Sequence, residues 1–342
     1  MRRINPEEAR AAKWAALLAL IFVLPVMLRA AGPLSTAAVH ARPTRITPQE
    51  VQNTQAAQVT PEQSAPVGEA PGDDATRDPE TGVPVADATE QARVLGTNPP
   101  GVWTYENSRI QARITREKRD DFVYFAADIK LTSPGQFSYA FSNEKYGGYD
   151  EALSDIAARH APLIAINGDY YGFHDNGVII RGGALFRNKY TERQMLIVEE
   201  NGDLSVMTSR PEDQSGIADA LMARGVRHTF EFGPVLVENG QAIEMTSAIM
   251  PVSRGYLEPR TAIGQWGPLH YLVIVVDGRS PGYSAGCDLP TLQQLFMDYG
   301  VHTAFNLDGG GSTTLWYDGY VINQPSSGDE RRVSDIVMFM LD

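Results

Sequence analysis

Three apolar runs in this 342-residue chain end alike, in a polar residue near or before glycine. Residues 163–166 (LIAI) lead into Asn167-Gly168-Asp169. Residues 271–276 (YLVIVV) lead into Asp277-Gly278-Arg279, and residues 304–307 (AFNL) into Asp308-Gly309-Gly310-Gly311-Ser312. A single ending of this kind is an ordinary solvent-facing turn, because Asp, Asn and Gly all suit turn geometry. Three of them point to a shared edge. If the strands are parallel neighbours, their carboxyl ends meet where α/β sheets hold ligands. Asn167, Asp169, Asp277 and Asp308 then wall one pocket.

The glycine triplet supplies its floor. Glycine loses more backbone freedom on folding than other residues, so three in succession signal a need for bare backbone. Successive N–H groups can form a concave anion nest. On this reading Gly309, Gly310 and Gly311 let a phosphate or a sugar ring lie on the main chain, and Ser312 donates one further hydrogen bond. No GxxxxGK[ST] string occurs and no helix pattern follows, which excludes a Walker-type loop. Bidentate anion binding falls to arginine, and Arg260, Arg279 and Arg331 each stand beside a glycine or proline turn. The acidic wall is also a set of hard oxygen ligands. No cofactor is expected, with Ca²⁺ or Mg²⁺ as the rival reading, although no recognised metal spacing is present. The six histidines are scattered, and His174 reads as a loop residue near the pocket. A serine hydrolase is disfavoured because GxSxG is missing.

Holding these groups requires a folded head, expected over residues 102–342. Strand patterns occur at 123–131, 163–166, 195–200, 234–240, 271–276, 304–307 and 335–341, and a hairpin at 313–323 has Asp318-Gly319 at its tip. Helix patterns occupy 149–160 and the stretch after Asp288, a candidate N-cap, up to Gly300. The expected class is α+β, a large mixed β-sheet head with a few helices.

The N-terminal third is of another kind. Arg2, Arg3, Arg10 and Lys13 precede an uncharged run at 14–28. The layout predicts a cytoplasmic basic tail (1–13) and a transmembrane signal-anchor (14–31), with a cleaved signal peptide as the alternative. The basic flank keeps the N-terminus in the cytoplasm and exports the rest. No aromatic residue occurs between Phe22 and Trp103, and a Pro/Ala-rich stretch (32–101) reads as a disordered stalk. The expected location is therefore the cell membrane, with the head outside, or secretion if the segment is cleaved. The net charge of −13 argues against free nucleic acid as a partner. Cys287 is the only cysteine, which excludes an intrachain disulfide and suits a buried apolar role.

INGDYY (166–171), RGGALFR (181–187), FGPVLVENG (232–240), PRTAIG (259–264), VVDGRS (275–280), NLDGGGST (306–313) and NQPSSGDERRVSD (323–335) follow one another in order. Together the chain from about 161 to 342 resembles the phosphodiester glycosidase family, as a bacterial, membrane-anchored member. Position 169 is Asp where many relatives have Gly. The resemblance implies hydrolysis of a sugar-1-phosphodiester at the glycosidic carbon, on N-acetylhexosamine-1-phosphate-type linkages of envelope glycans. Such cleavage passes through an oxocarbenium-like state. Asp308 and Asp277 are expected to do the carboxylate work. Arg260 and Arg279, with Arg331, are expected to hold phosphate, and Asn167, Asp169 and Thr261 to line the sugar. Two other functions compete: a non-catalytic carbohydrate-binding protein of exopolysaccharide assembly, and a metal-dependent phosphodiesterase cutting P–O.

Overall fold

The structure, a computed structural model, describes residues 100–245, 256–326 and 328–342. The expected tail and anchor, and residues 32–99 of the expected stalk, lie outside the described residues. Among the described residues no helix is long and apolar enough to cross a membrane.

In chain order the strands are β1 (Val102–Glu106), β2 (Ile110–Arg119), β3 (Phe122–Leu131), β4 (Phe137–Phe141), β5 (Ile164–Asn167), β6 (Gly177–Arg181), β7 (Ala184–Lys189), β8 (Met195–Val198) and β9 (Leu204–Met207). They continue with β10 (His228–Phe230), β11 (Val235–Glu238), β12 (Gln241–Ala242), β13 (Arg260–Gly267), β14 (His270–Val276), β15 (Thr303–Asn306), β16 (Leu315–Tyr317), β17 (Tyr320–Val321) and β18 (Asp335–Phe339). The helices are α1 (Leu153–His160), α2 (Ile217–Ala223) and α3 (Leu289–Tyr299). The protein is mostly β with few helices.

Two sheets face each other. One has eight strands in the order β1-β2-β3-β14-β13-β15-β11-β12, the other five in the order β17-β16-β5-β18-β4. Their inner faces interlock, Phe125, Val273 and Phe305 from the first with Ile164, Val337 and Phe339 from the second. The outer face of the first is covered by α3 through Leu292, Leu295 and Phe296, and that of the second by α1 through Leu153, Ile156 and Ala157. This explains the nearly continuous apolar runs. Along β14, Tyr271, Val273 and Val275 enter the inner core while Leu272, Ile274 and Val276 meet α3, so both sides of the strand are buried. The helix signals hold: the Asp288 side chain accepts from Thr291 N at 2.9 Å, and Gly300 closes α3 at φ 69°.

The expected mixed sheet with parallel neighbours is corrected. Every strand pair resolved among the described residues is antiparallel. The α3 crossover does leave β14 and β15 running the same way, but β13 lies between them and pairs antiparallel with both. β5 belongs to the other sheet. One edge of the first sheet thus gathers the end of β14, the start of β13 and the end of β15, and the end of β5 faces it from the second.

Candidate active site

Asp308 sits just past β15 and is clipped in place through its backbone. Its carbonyl accepts from Asn167 Nδ2 at 2.6 Å, and Asn167 Oδ1 accepts from Thr261 Oγ1 at 2.7 Å. Both residues are buried. Asn167 and Thr261, two of the three residues expected to line the sugar, thus form a tie that joins β5 to β13 and β15. The Asp308 carboxylate is held from below. Oδ1 accepts from Gly309 N at 2.9 Å and Oδ2 from Ser312 Oγ at 2.5 Å. Arg331 Nη2 approaches Oδ2 at 3.0 Å from a side chain that is 47% exposed. Asp308 itself is 6% exposed. Burial raises its pKa above the ordinary carboxylate value, Arg331 and Ser312 oppose the rise, and nearby Asp169 adds to it.

Two of the three glycine amides expected in an anion nest are already used inside the protein. Gly309 N is spent on Asp308, Gly310 N on Pro259 O at 2.9 Å, and Ser312 N on Gly309 O at 3.2 Å. Residues Gly310–Ser312 form a 3-10 turn. Bare backbone is needed for packing. A Cβ on Gly309 would lie 2.8 Å from Pro259 O, one on Gly310 3.2 Å from the Arg279 guanidinium, and one on Gly311 3.3 Å from Arg331 Cδ. Gly310 also has φ +60°, a region costly for other residues. Two arginines therefore lie on adjacent glycines. Arg279 is 49% exposed and is held by Glu258 at 2.5 Å. Arg331 in turn donates from Nε and Nη2 to Ser312 Oγ at 2.9 and 2.6 Å.

The Arg260 and Asp277 side chains turn to other partners, although Arg260 lies close enough to Glu258 and Arg279 to interact with their charges. Arg260 alternates with Thr261 along β13, so its side chain leaves the opposite face of the sheet. There its Nε donates to Cys287 O at 3.1 Å and its Nη2 to Tyr256 O at 3.0 Å. Asp277 turns to Asn323 Nδ2 at 3.0 Å, Gln324 N at 3.1 Å and Tyr283 OH at 2.8 Å. Among the described residues it shares no hydrogen-bond partner with Asp308. Burial pushes its pKa to about 6.

Other buried groups were not expected. Asp335, at the start of β18, accepts from Asp169 N at 2.9 Å and from Arg181 Nε at 2.7 Å. Arg181 and Asp335 are fully buried, the guanidinium lying 4.1 Å from the Phe230 ring centre. Burial raises the Asp335 pKa to about 6. Asp169 accepts in turn from Tyr170 N at 2.7 Å and Glu231 N at 2.8 Å. Glu231 is buried against Arg210, and burial raises its pKa to about 7. The Tyr170 ring carries Arg193 over its face at 4.9 Å and meets His174 edge-on at 4.8 Å. Burial lowers the His174 pKa, with Arg193 adding to the effect. Tyr170, Arg181 and Asp335 all stand inside strings quoted above, INGDYY, RGGALFR and NQPSSGDERRVSD; Arg181 was signalled by the two glycines after it. Among the described residues no group of three His, Cys, Asp or Glu is arranged to hold a metal.

The phosphodiester glycosidase family matches residues 160–340, more than half of the chain. The chain belongs to the phosphodiester glycosidase family. Every residue of the Asp308 cluster falls inside the matched stretch. The fold of this family member is similar to the catalytic domain of zebrafish N-acetylglucosamine-1-phosphodiester alpha-N-acetylglucosaminidase, solved auto-inhibited by its pro-peptide. The TM-score is 0.55 at 19% identity, over 72% of this chain and 85% of that one. The SPbeta prophage-derived uncharacterized protein YomE of Bacillus subtilis is 34% identical over 222 residues. That match takes in 62% of this phosphodiester glycosidase family chain but only 32% of YomE, about a third of its length.

Proposed function

We propose that the domain hydrolyses the glycosidic bond of a sugar-1-phosphodiester, with an N-acetylhexosamine as the sugar and an envelope glycan as its source. One observation carries the reading: a nearly buried carboxylate, Asp308, pairs with the half-exposed Arg331, and Arg279 from a separate loop lies against Gly310 beside them. The phosphate sits over Gly310 and Gly311 between the two guanidinium groups, and the sugar over Asp308. The C1–O bond breaks and its electron pair leaves on the phosphate oxygen. A phosphate ester is a stable anion, so the arginines suffice where other glycosidases need a strong acid. Asp308 stabilises the positive charge that develops at C1. Water then supplies hydroxide to C1 and its remaining proton passes to solvent.

Asp277 takes no direct part in this scheme, and Arg260 holds the loop before β13. The membrane anchor and stalk expected at 14–31 and 32–101 place the head outside the cell, within reach of such glycans. Hydrolysis in ¹⁸O-water tests the reaction, with label expected in the released sugar. Label in the phosphate instead means P–O cleavage and eliminates the glycosidase.

A further inference from the structure

Two large aromatic rings, packed on segments that neighbour Asp169 and Arg331 in the chain, are left unused by this chemistry. Tyr149 is 47% and Phe173 56% exposed, and their ring centres are 4.6 Å apart. Single exposed apolar side chains need no explanation, but a built pair does. This pair is built. The Tyr149 segment is pinned by Arg332 Nη1, which donates to Asp150 O at 2.7 Å, and by Val333 N, which donates to Glu151 O at 2.9 Å. Gly172 N donates to Ser334 Oγ at 3.1 Å. A Cβ on Gly172 would lie 3.1 Å from Tyr149 Cδ1 and 2.7 Å from Ser334 Oγ, so the ring depends on glycine there.

Position gives the pair a direction. One 3-10 turn, Tyr171–Phe173, separates Tyr170, beside Asp169, from Phe173. Phe173 N donates to Tyr170 O at 2.9 Å, closing the turn. On the other side, Arg331 at the phosphate seat and Ser334 at the rings are three residues apart, at most roughly 10 Å of chain. Flat aromatic faces present the apolar surface that the C–H faces of pyranose rings cover.

We propose that Tyr149 and Phe173 form a stacking platform for sugar units beyond the one at Asp308, so that the substrate is a glycan chain carrying the phosphodiester and not a lone sugar. This rests on the glycosidase reading. The test compares two probes on the full chain: the 4-nitrophenyl phosphodiester of N-acetylglucosamine 1-phosphate, and that of chitotetraose 1-phosphate. The wild type is expected to show a KM for the tetraose about tenfold below that for the monosaccharide. Combining Tyr149→Ala with Phe173→Ala brings the ratio to about one, while combining Tyr149→Trp with Phe173→Trp retains it. If the double alanine chain does not fold, Phe173→Ala alone is measured. A wild type without the preference, or an alanine variant that keeps it, overturns the platform. If the wild type cleaves neither probe, the glycosidase reading fails by itself, and calorimetry with the uncleaved tetraose diester decides. Binding lost in the alanine variant upholds the platform; absent or unchanged binding overturns it.

Discussion

Asp277 and Asp308 end two strands that run the same way in one sheet, each followed by glycine, and both are withdrawn from water. Burial raises the pKa of each. Their surroundings differ. Asp277 accepts hydrogen bonds from neutral donors on Tyr283, Asn323 and Gln324, which use both oxygens, and the Arg116 cation acts on it from over the Tyr283 ring. Asp308 is held by one hydroxyl and one amide from below and meets a half-exposed cation above. The same local motif thus makes a closed knot of neutral hydrogen bonds in one place and a candidate reactive rim in the other. The partners brought in from remote segments make the difference, Arg331 above all.

The largest effect tests that contrast at its centre. Asp308→Asn is expected to lower kcat/KM by about 10³-fold or more while the melting transition stays within a few degrees of wild type. An active, folded Asn variant would remove Asp308 from the reaction. Arg331→Ala should cost about 10²-fold in kcat, the scale of losing one charged stabiliser of the leaving group. Asp277→Ala should act on stability instead. It strands donors at about 1–3 kcal/mol each, read as a lower denaturant midpoint, with turnover per folded molecule largely kept. A turnover loss as deep as that of Asp308→Asn would erase the contrast. Gly309→Ala, crowding Pro259 O, should cost about 1–3 kcal/mol of stability. The smallest effect is a pH shift. Asp308 works ionised and its pKa is raised by burial, so kcat/KM falls as pH drops through a value above the ordinary carboxylate range. Arg331→Gln removes the opposing cation and should move that acid limb to higher pH.

Much of the scaffold was legible because burial on two faces writes long apolar runs, as in β14 and β18. The order of strands was not, since pairing partners are chosen by packing across the whole domain. β13 shows this: inserted between β14 and β15, it turned expected parallel neighbours into an antiparallel trio. β2 escaped notice because its second half, from Arg116 to Arg119, is charged throughout, and β1 because it is short and buries only Trp103 fully. In the site, Asp308, Ser312, Arg279 and Arg331 were legible as chemistry near glycine. Arg260 was misplaced because strand alternation, not proximity in sequence, decides which face a side chain leaves. Arg181 and Asp335 lie 154 residues apart, and only the fold pairs them.

β18 lies between β4 and β5 and carries Asp335 at its head. A chain synthesised from its N-terminus makes β4, β5 and Arg181 well before the strand that unites them. Until β18 is threaded into the gap, Arg181 lacks its counter-ion and the Asp169 amide lacks its acceptor. Arg331, only four positions earlier, is missing as well. The Arg181–Asp335 pair and the Asp308–Arg331 pair are therefore completed together, when the segment that ends in β18 docks.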